Sequence, residues 1–239
     1  MKRILIFVIS YNSSTKLPKV INKIKKIKIN NLKLKVLISD DNSVDGTNKY
    51  INKIKKQKNI LININKKRLG EGGNIKVCLD FAIKNKFDFA LMIHGDDQYD
   101  PRVLNKFYKI MVNNGNCAAV VGSRMANKKN AFKGGMPFYK IFGNMILTKI
   151  FNLVMKTNFT DAHSGQWLLN LKKIKKIKFK KLSNYHNFDN QLRITLLKKK
   201  NLVLEAPIKT KYFLNEPTKF HFIYAVRFLL DVLSSYFKK

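Results

Sequence analysis

Carboxylates are scarce in this chain of 239 residues: 14 Asp and Glu stand against 48 Lys and Arg, a formal net charge of +34. Such an imbalance attracts anionic lipid, nucleic acid or phosphorylated substrates, less strongly as salt rises. Arginine is scarce as well, since only six of the basic residues are Arg and 42 are Lys. Lys, Asn and Ile are abundant together along the whole chain, which marks compositional drift rather than a designed patch. Readers of nucleic-acid sequence favour Arg for bidentate contacts. No motif of that kind appears, so no specific nucleic-acid partner is expected. Cysteine is limited to Cys78 and Cys117, both in apolar surroundings and without metal-ligand spacing. They read as buried thiols in a reducing compartment. Long uncharged runs are missing: nothing reaches the ~18 residues of a membrane span, and Ile4 to Ile9 is too short for a signal peptide. The expected location is cytoplasmic, with peripheral contact at the cytoplasmic face of the membrane as an extension. With 45% hydrophobic residues the chain can bury a core, and disorder is excluded.

What is present is an alternation of strands and helices. Apolar strands are read at Ile4–Ile9, Leu34–Ile38, Ile60–Ile64, Phe89–Ile93 and Ala118–Val121. Between them lie helical patterns, such as Leu17, Val20, Ile21, Ile24 and Ile27, with Ser13 or Ser14 placed to cap. Gly70, Gly72 and Gly73 read as a flexible turn into the third helix. Strands alternating with helices of this length predict a mostly parallel, doubly wound α/β sheet with helices on both faces. Beyond Arg124 the alternation breaks down. Lys128 to Pro137 reads as a mobile loop, Ile141 to Met155 as an apolar helix, Leu202 to Ile208 as a late strand. In the tail from Phe220 to Phe237, Arg227 and Asp231 are spaced to pair one turn apart. Three parts are expected: a nucleotide-binding half at 1–124, an acceptor half at 125–218, and a C-terminal apolar or amphipathic helix at 219–239.

The polar residues after each strand collect along one edge of such a sheet, where open α/β folds bind ligands. The fourth strand exits through His94-Gly95-Asp96-Asp97-Gln98-Tyr99-Asp100-Pro101. In an extended exit His94, Asp96 and Gln98 point the same way, and two oxygen donors with an imidazole can hold a divalent metal. The second strand exits through Ser39-Asp40-Asp41-Asn42-Ser43-Val44-Asp45-Gly46-Thr47, where Asp45 is best read as a turn and capping residue.

These segments resemble the family 2 glycosyltransferases of GT-A fold, in the branch of dolichol-phosphate mannosyltransferase-like enzymes. Ile4 to Ser13 resembles the family's opening strand and Tyr-Asn-Glu turn, with Ser13 in place of Glu. Ser39 to Thr47 resembles Asp-Asp-Gly-Ser-x-Asp-Gly-Thr. His94-Gly95-Asp96 stands at the metal-binding Asp-x-Asp, with His94 replacing the first Asp, and Gly122-Ser123-Arg124 resembles Gly-Ser/Thr-Arg. The resemblance implies an inverting transferase that moves a sugar from a GDP- or UDP-linked donor to a polyprenyl phosphate or a cell-envelope glycan. Its alternatives are a catalytically silent nucleotide-sugar-binding homologue and a basic scaffold on membrane or nucleic acid. Donor binding falls to Tyr11, Ser13, Ser39, Asp41, Gly95, Asp96 and Arg124. A Mn²⁺ or Mg²⁺ ion falls to Asp96, Gln98 and His94, the imidazole favouring Mn²⁺. For a hydroxyl acceptor the general base is Asp189, with Asp161 behind it; a lipid phosphate needs no base but wants positive charge, from Lys133, Lys211 or Lys219. His163 and Gln166 are expected at the sugar. A lipid acceptor also makes the membrane surface a partner. The assignment requires Asp41, Asp96 and Arg124 to meet around one cleft.

Overall fold

The computed structural model describes residues 1–213 and 222–237. The longest apolar runs form the middle of its sheet. β1 (Lys2–Ser10) lies between β2 (Leu32–Asp40) and β4 (Phe89–His94), parallel to both, and is buried from Ile4 onward. Strands covered on both faces need that unbroken apolar character. β3 (Ile60–Ile64) adds to β2 at one edge, and β5 (Cys117–Ser123) pairs in parallel with β7 (Leu202–Pro207) at the other. The full order is β3-β2-β1-β4-β6-β5-β7. β6 (Trp167–Asn170) runs antiparallel between β4 and β5 and was not expected from the sequence. Four residues are too few to carry a period, and the polar cluster before Trp167 masks them.

The helices are α1 (Leu17–Lys25), α2 (Thr47–Ile54), α3 (Glu71–Lys84), α4 (Leu104–Asn113), α5 (Lys128–Lys133), α6 (Phe138–Met155), α7 (Leu171–Ile174), α8 (Phe188–Lys198) and α9 (Phe222–Phe237). They cover both faces. Side chains alternate across β1, so Ile4, Ile6 and Val8 pack with Leu17, Ile51 and Phe107, while Leu5, Phe7 and Ile9 pack with Leu79, Phe151 and Phe188. Among the described residues no helix is long and apolar enough to cross a membrane.

Three local expectations are corrected. Lys128 to Pro137 is not simply loop: α5 forms there, and Ala131 and Met136 close a small cluster with Met125. α1 is entered without a side-chain cap; the Ser13 carbonyl accepts from Lys16 and Leu17 N–H while its hydroxyl donates to the Tyr11 carbonyl. Asp231 does not turn along α9 towards Arg227. Its carboxylate accepts from Asn187 and Gln191 of the α8 region, and the Arg227 guanidinium lies over the Tyr185 ring.

Candidate active site

β1, β2 and β4 run in parallel as neighbours, so their carboxyl ends open onto the same edge. There a cleft of about 550 Å³ lies between Ser10, Tyr11 and Ser13 after β1, Asp41 after β2, and His94, Gly95 and Asp96 after β4. Its far wall comes from Arg68, Leu69, Gly70, Glu71 and Asn74 at the start of α3, and from Tyr185 and His186 before α8. Gly70, Gly72 and Gly73 do not make a flexible turn. A Cβ on Gly70 would stand 2.6 Å from the Asn184 carbonyl oxygen, and one on Gly72 would stand 2.4 Å from that of Ser183. The glycines let α3 and the segment before α8 close into one wall.

The acidic turn after β2 divides its labour. Asp40 accepts from the Ser43 N–H and hydroxyl, and Asp45 accepts from Ser14 N–H and from both Thr47 donors, which outweigh burial and lower its pKa to about 2. These two shape the turn. Asp41 faces the cleft, but its oxygens accept from Asn65 and from the backbone N–H groups of Leu69 and Gly70. It therefore fixes the loop carrying Arg68 as well as offering a carboxylate edge. Ser39 lies beneath, fully buried, donating to Asn74 and accepting from Asn63; it reaches the cleft only through Asn74.

At β4 the expected extended exit fails. The strand ends at His94, a turn follows, and Asp97 adopts φ 61°, so Gln98 leaves the line of His94 and Asp96. Asp97 is held by Lys23 at 2.5 Å, and Asp96 accepts from Gln98 N–H at 3.0 Å. His94 and Asp96 line the cleft; Gln98 does not. Among the described residues the buried His94 Nε2 has no hydrogen-bond partner, and it lies 3.8 Å from Glu71 Oε1. Among the described residues no three His, Cys, Asp or Glu side chains form a metal-holding group. One imidazole with a free nitrogen and one carboxylate suit an ion whose remaining ligands come from a bound diphosphate and water.

Behind His94 sits Asp189, in the first turn of α8. Gly165 brings the two together, since a Cβ there would be 2.9 Å from His94 Nε2 and 3.4 Å from Asp189 Oδ2. Asp189 Oδ1 is shielded and, among the described residues, has no hydrogen-bond partner. Burial first, and then the Glu71 carboxylate, push the Asp189 pKa up to about 7, against the pull of His94 and Arg193. Glu71 bonds His186; burial pushes its pKa up, but that bond and the two imidazoles hold it below the ordinary value.

Several expected residues lie elsewhere. Arg124 does not line the cleft. Its Nε and Nη2 donate to Asp161 at 2.6 and 2.8 Å, and Nη1 donates to Tyr212 at 3.2 Å. That pairing, against burial, holds Asp161 well below the carboxylate range, which removes it as a base. His163 bonds Tyr224 at 3.0 Å through Nδ1, and buried Gln166 donates to the Asp100 carbonyl; neither reaches the cleft wall. Lys211 and Lys133 are exposed surface residues, and Lys219 lies outside the described residues. Of the required convergence, Asp41 and Asp96 meet and Arg124 does not. The cleft's arginine is Arg68, 4.1 Å over the Tyr11 ring. Sequence reasoning missed Arg68, Glu71 and His186. Two signals were available: a rare Arg two residues before Gly70, and a His three residues before Asp189.

A parallel sheet with one antiparallel insertion and a polar cleft at its carboxyl edge defines a GT-A fold. The family model for glycosyl transferase family 2 matches residues 5–178, and the chain belongs to that family. An uncharacterised glycosyltransferase of Mycoplasma genitalium is 31% identical over 108 residues, 44% of this chain and 35% of the relative. The chain thus matches only about a third of that relative's length. Glucosyl-3-phosphoglycerate synthase of Mycobacterium tuberculosis, solved with Mn²⁺, UDP and phosphoglyceric acid, superposes with TM-score 0.72 at 11% identity, covering 98% of this chain and 78% of that one. Mannosyl-3-phosphoglycerate synthase of Rubrobacter xylanophilus gives 0.68 at 15% identity, covering 98% and 73%. At these identities the likeness is one of fold.

Proposed function

We propose that this chain transfers a sugar, with inversion, from a nucleoside diphosphate donor to a hydroxyl of a cell-envelope glycan. The observation that carries the reading is Asp189: a carboxylate with a free oxygen, beside the cleft, poised near neutral pH. The acceptor oxygen attacks the anomeric carbon as its proton passes to Asp189. The bond from that carbon to the diphosphate breaks, and the nucleoside diphosphate leaves. Tyr11 and Arg68 offer a flat cationic stack for the base, and Ser10, whose hydroxyl has no partner among the described residues, offers a hydrogen bond within the cleft. Asp96 and His94 are the residues that would hold Mn²⁺ or Mg²⁺, and such an ion stabilises charge on the departing diphosphate. The resemblance to dolichol-phosphate mannosyltransferase-like enzymes supports a second acceptor, a polyprenyl phosphate. That nucleophile is already an anion and leaves Asp189 without a proton to take.

Calorimetric titration with GDP-, UDP- and dTDP-sugars, with and without Mn²⁺, tests the donor. One base should bind, more tightly with the ion, and Asp96→Ala should abolish the ion's effect. Indifference to every donor would sink the reading, and binding without donor hydrolysis or transfer would leave a silent homologue.

A further inference from the structure

α6 and α9 pack against each other through their inner sides. The Phe151 and Phe228 rings lie 6.0 Å apart, and Ser235 Oγ donates to Met155 Sδ. Among the described residues, their outer sides are exposed. On α6, Phe142, Ile146 and Leu153 stand at helical spacing and are exposed, Phe142 by 57% and Leu153 by 82%. On α9, Ile223, Val226, Leu230 and Leu233 recur every three or four residues and are likewise exposed, Leu230 by 60%. Apolar stripes this long on two adjoining helices are the mark of an interaction surface.

The charge around the stripes narrows the partner. Neither α5 nor α6 carries an Asp or Glu, while Lys128, Lys129, Lys133 and Lys149 are exposed on them. The one carboxylate of α9, Asp231, is turned inward onto Asn187 and Gln191. The rim is therefore cationic: among the described residues of α5, α6 and α9, no other carboxylate balances these lysines. A second copy would set this rim against itself, because a twofold interface presents the same patch from both sides. An anionic bilayer offers both an apolar interior for the stripes and negative headgroups for the lysines.

We infer that the outer face of α6 and α9 docks on an anionic lipid surface. α9 also touches the cleft wall, since Arg227 lies over the Tyr185 ring. Docking would thus set the cleft mouth beside the headgroups, where a lipid-carried acceptor is met. That last clause rests on the transfer reading; the docking itself does not.

Co-sedimentation of the full chain with vesicles provides the test, using phosphatidylcholine alone and an equimolar mixture with phosphatidylglycerol. The native protein should partition onto the mixed vesicles and only weakly onto the neutral ones. The double variant Phe142→Ser/Leu230→Ser should partition at least about tenfold more weakly, with an unchanged thermal midpoint because both side chains are exposed. Donor binding should be retained in the variant, which separates a failure of docking from a failure of the transfer reading. Four results would overturn the inference: no sedimentation of the native protein, equal sedimentation on neutral vesicles, equal sedimentation of native and variant, or a native dimer in light scattering that the variant dissociates without any vesicle effect.

Discussion

Two ionic clusters lie on the carboxyl side of the sheet, and they are built to opposite rules. In the closed one, Arg124 and Asp161 form a bidentate pair that Asn144 and Tyr212 complete, with Asp161 fully buried. In the open one, Glu71, His94 and His186 line the cleft with Asp189 behind His94, and among the described residues His94 Nε2 and Asp189 Oδ1 have no hydrogen-bond partner. A buried pair with every partner present holds structure in place. A cluster with free polar atoms beside a cleft stores capacity for a ligand or a proton. The difference sets Arg124 in the architecture and is what supports the proposed role of Asp189, although sequence pattern alone placed both at the site.

The contrast breaks most visibly at Asp189. Asp189→Asn should lower kcat by about 10²–10⁴ if the acceptor is a hydroxyl. It should leave donor binding intact. Stability should not fall: the raised pKa means the buried charge costs most as pH rises through about 7, so above that pH the variant should unfold at an equal or higher temperature. Unaltered turnover would point to the phosphate acceptor. Arg124→Met should do the reverse, leaving a buried carboxylate unpaired at a cost of about 3–5 kcal/mol in urea unfolding. Arg124→Met/Asp161→Leu should recover part of that loss, because the uncompensated charge is gone. A single variant as stable as the native chain would deny the closed cluster its structural role.

His163 sharpens the same comparison through acid sensitivity. Burial first, with Arg124 and Arg193 adding, lowers its pKa to about 3, whereas the unfolded chain binds the proton near 6.5. The unfolded state therefore holds more protons between those values, and stability is fully present above about 6.5 and lost as pH falls through the window. By pH 5 the loss is on the order of 2 kcal/mol. His163→Gln should flatten the unfolding free energy between pH 7 and 5, and an unchanged slope would show the imidazole to be ordinary.

The parts of the fold legible in the sequence are those where one face or two faces are buried over a whole element. β1, β4 and β5 read as apolar runs, and α1 shows four inward residues at helical spacing. β6 stayed hidden because four residues set no period, and its pairing depends on β4 and β5 from distant parts of the chain. The site divides the same way. Asp41 and Asp96 were legible because strand exits must share an edge. Arg124 misled because a strand-end Arg pairs as readily with a carboxylate inside the protein as with a phosphate outside it. Glu71 and His186 belong to segments joined only by the close approach that Gly70 and Gly72 permit, a contact no local pattern announces.

Glu71 offers the finest test. Its carboxylate is the second cause, after burial, of the raised Asp189 pKa; His94, Arg193 and His186 act the other way. Glu71→Gln keeps the shape and removes the charge, so Asp189 should lose its proton at lower pH. The acid limb of the activity profile, which should rise through about 7 in the native enzyme, should then move down by up to about one pH unit, or about 1.4 kcal/mol. His186 loses its charged partner in the same variant, so its own pKa should fall. That second shift, read by NMR of the imidazole, tells the electrostatic effect from mere loosening of the α3 wall. If the imidazole shifts and the activity profile stays, Asp189 is not the group that takes the proton.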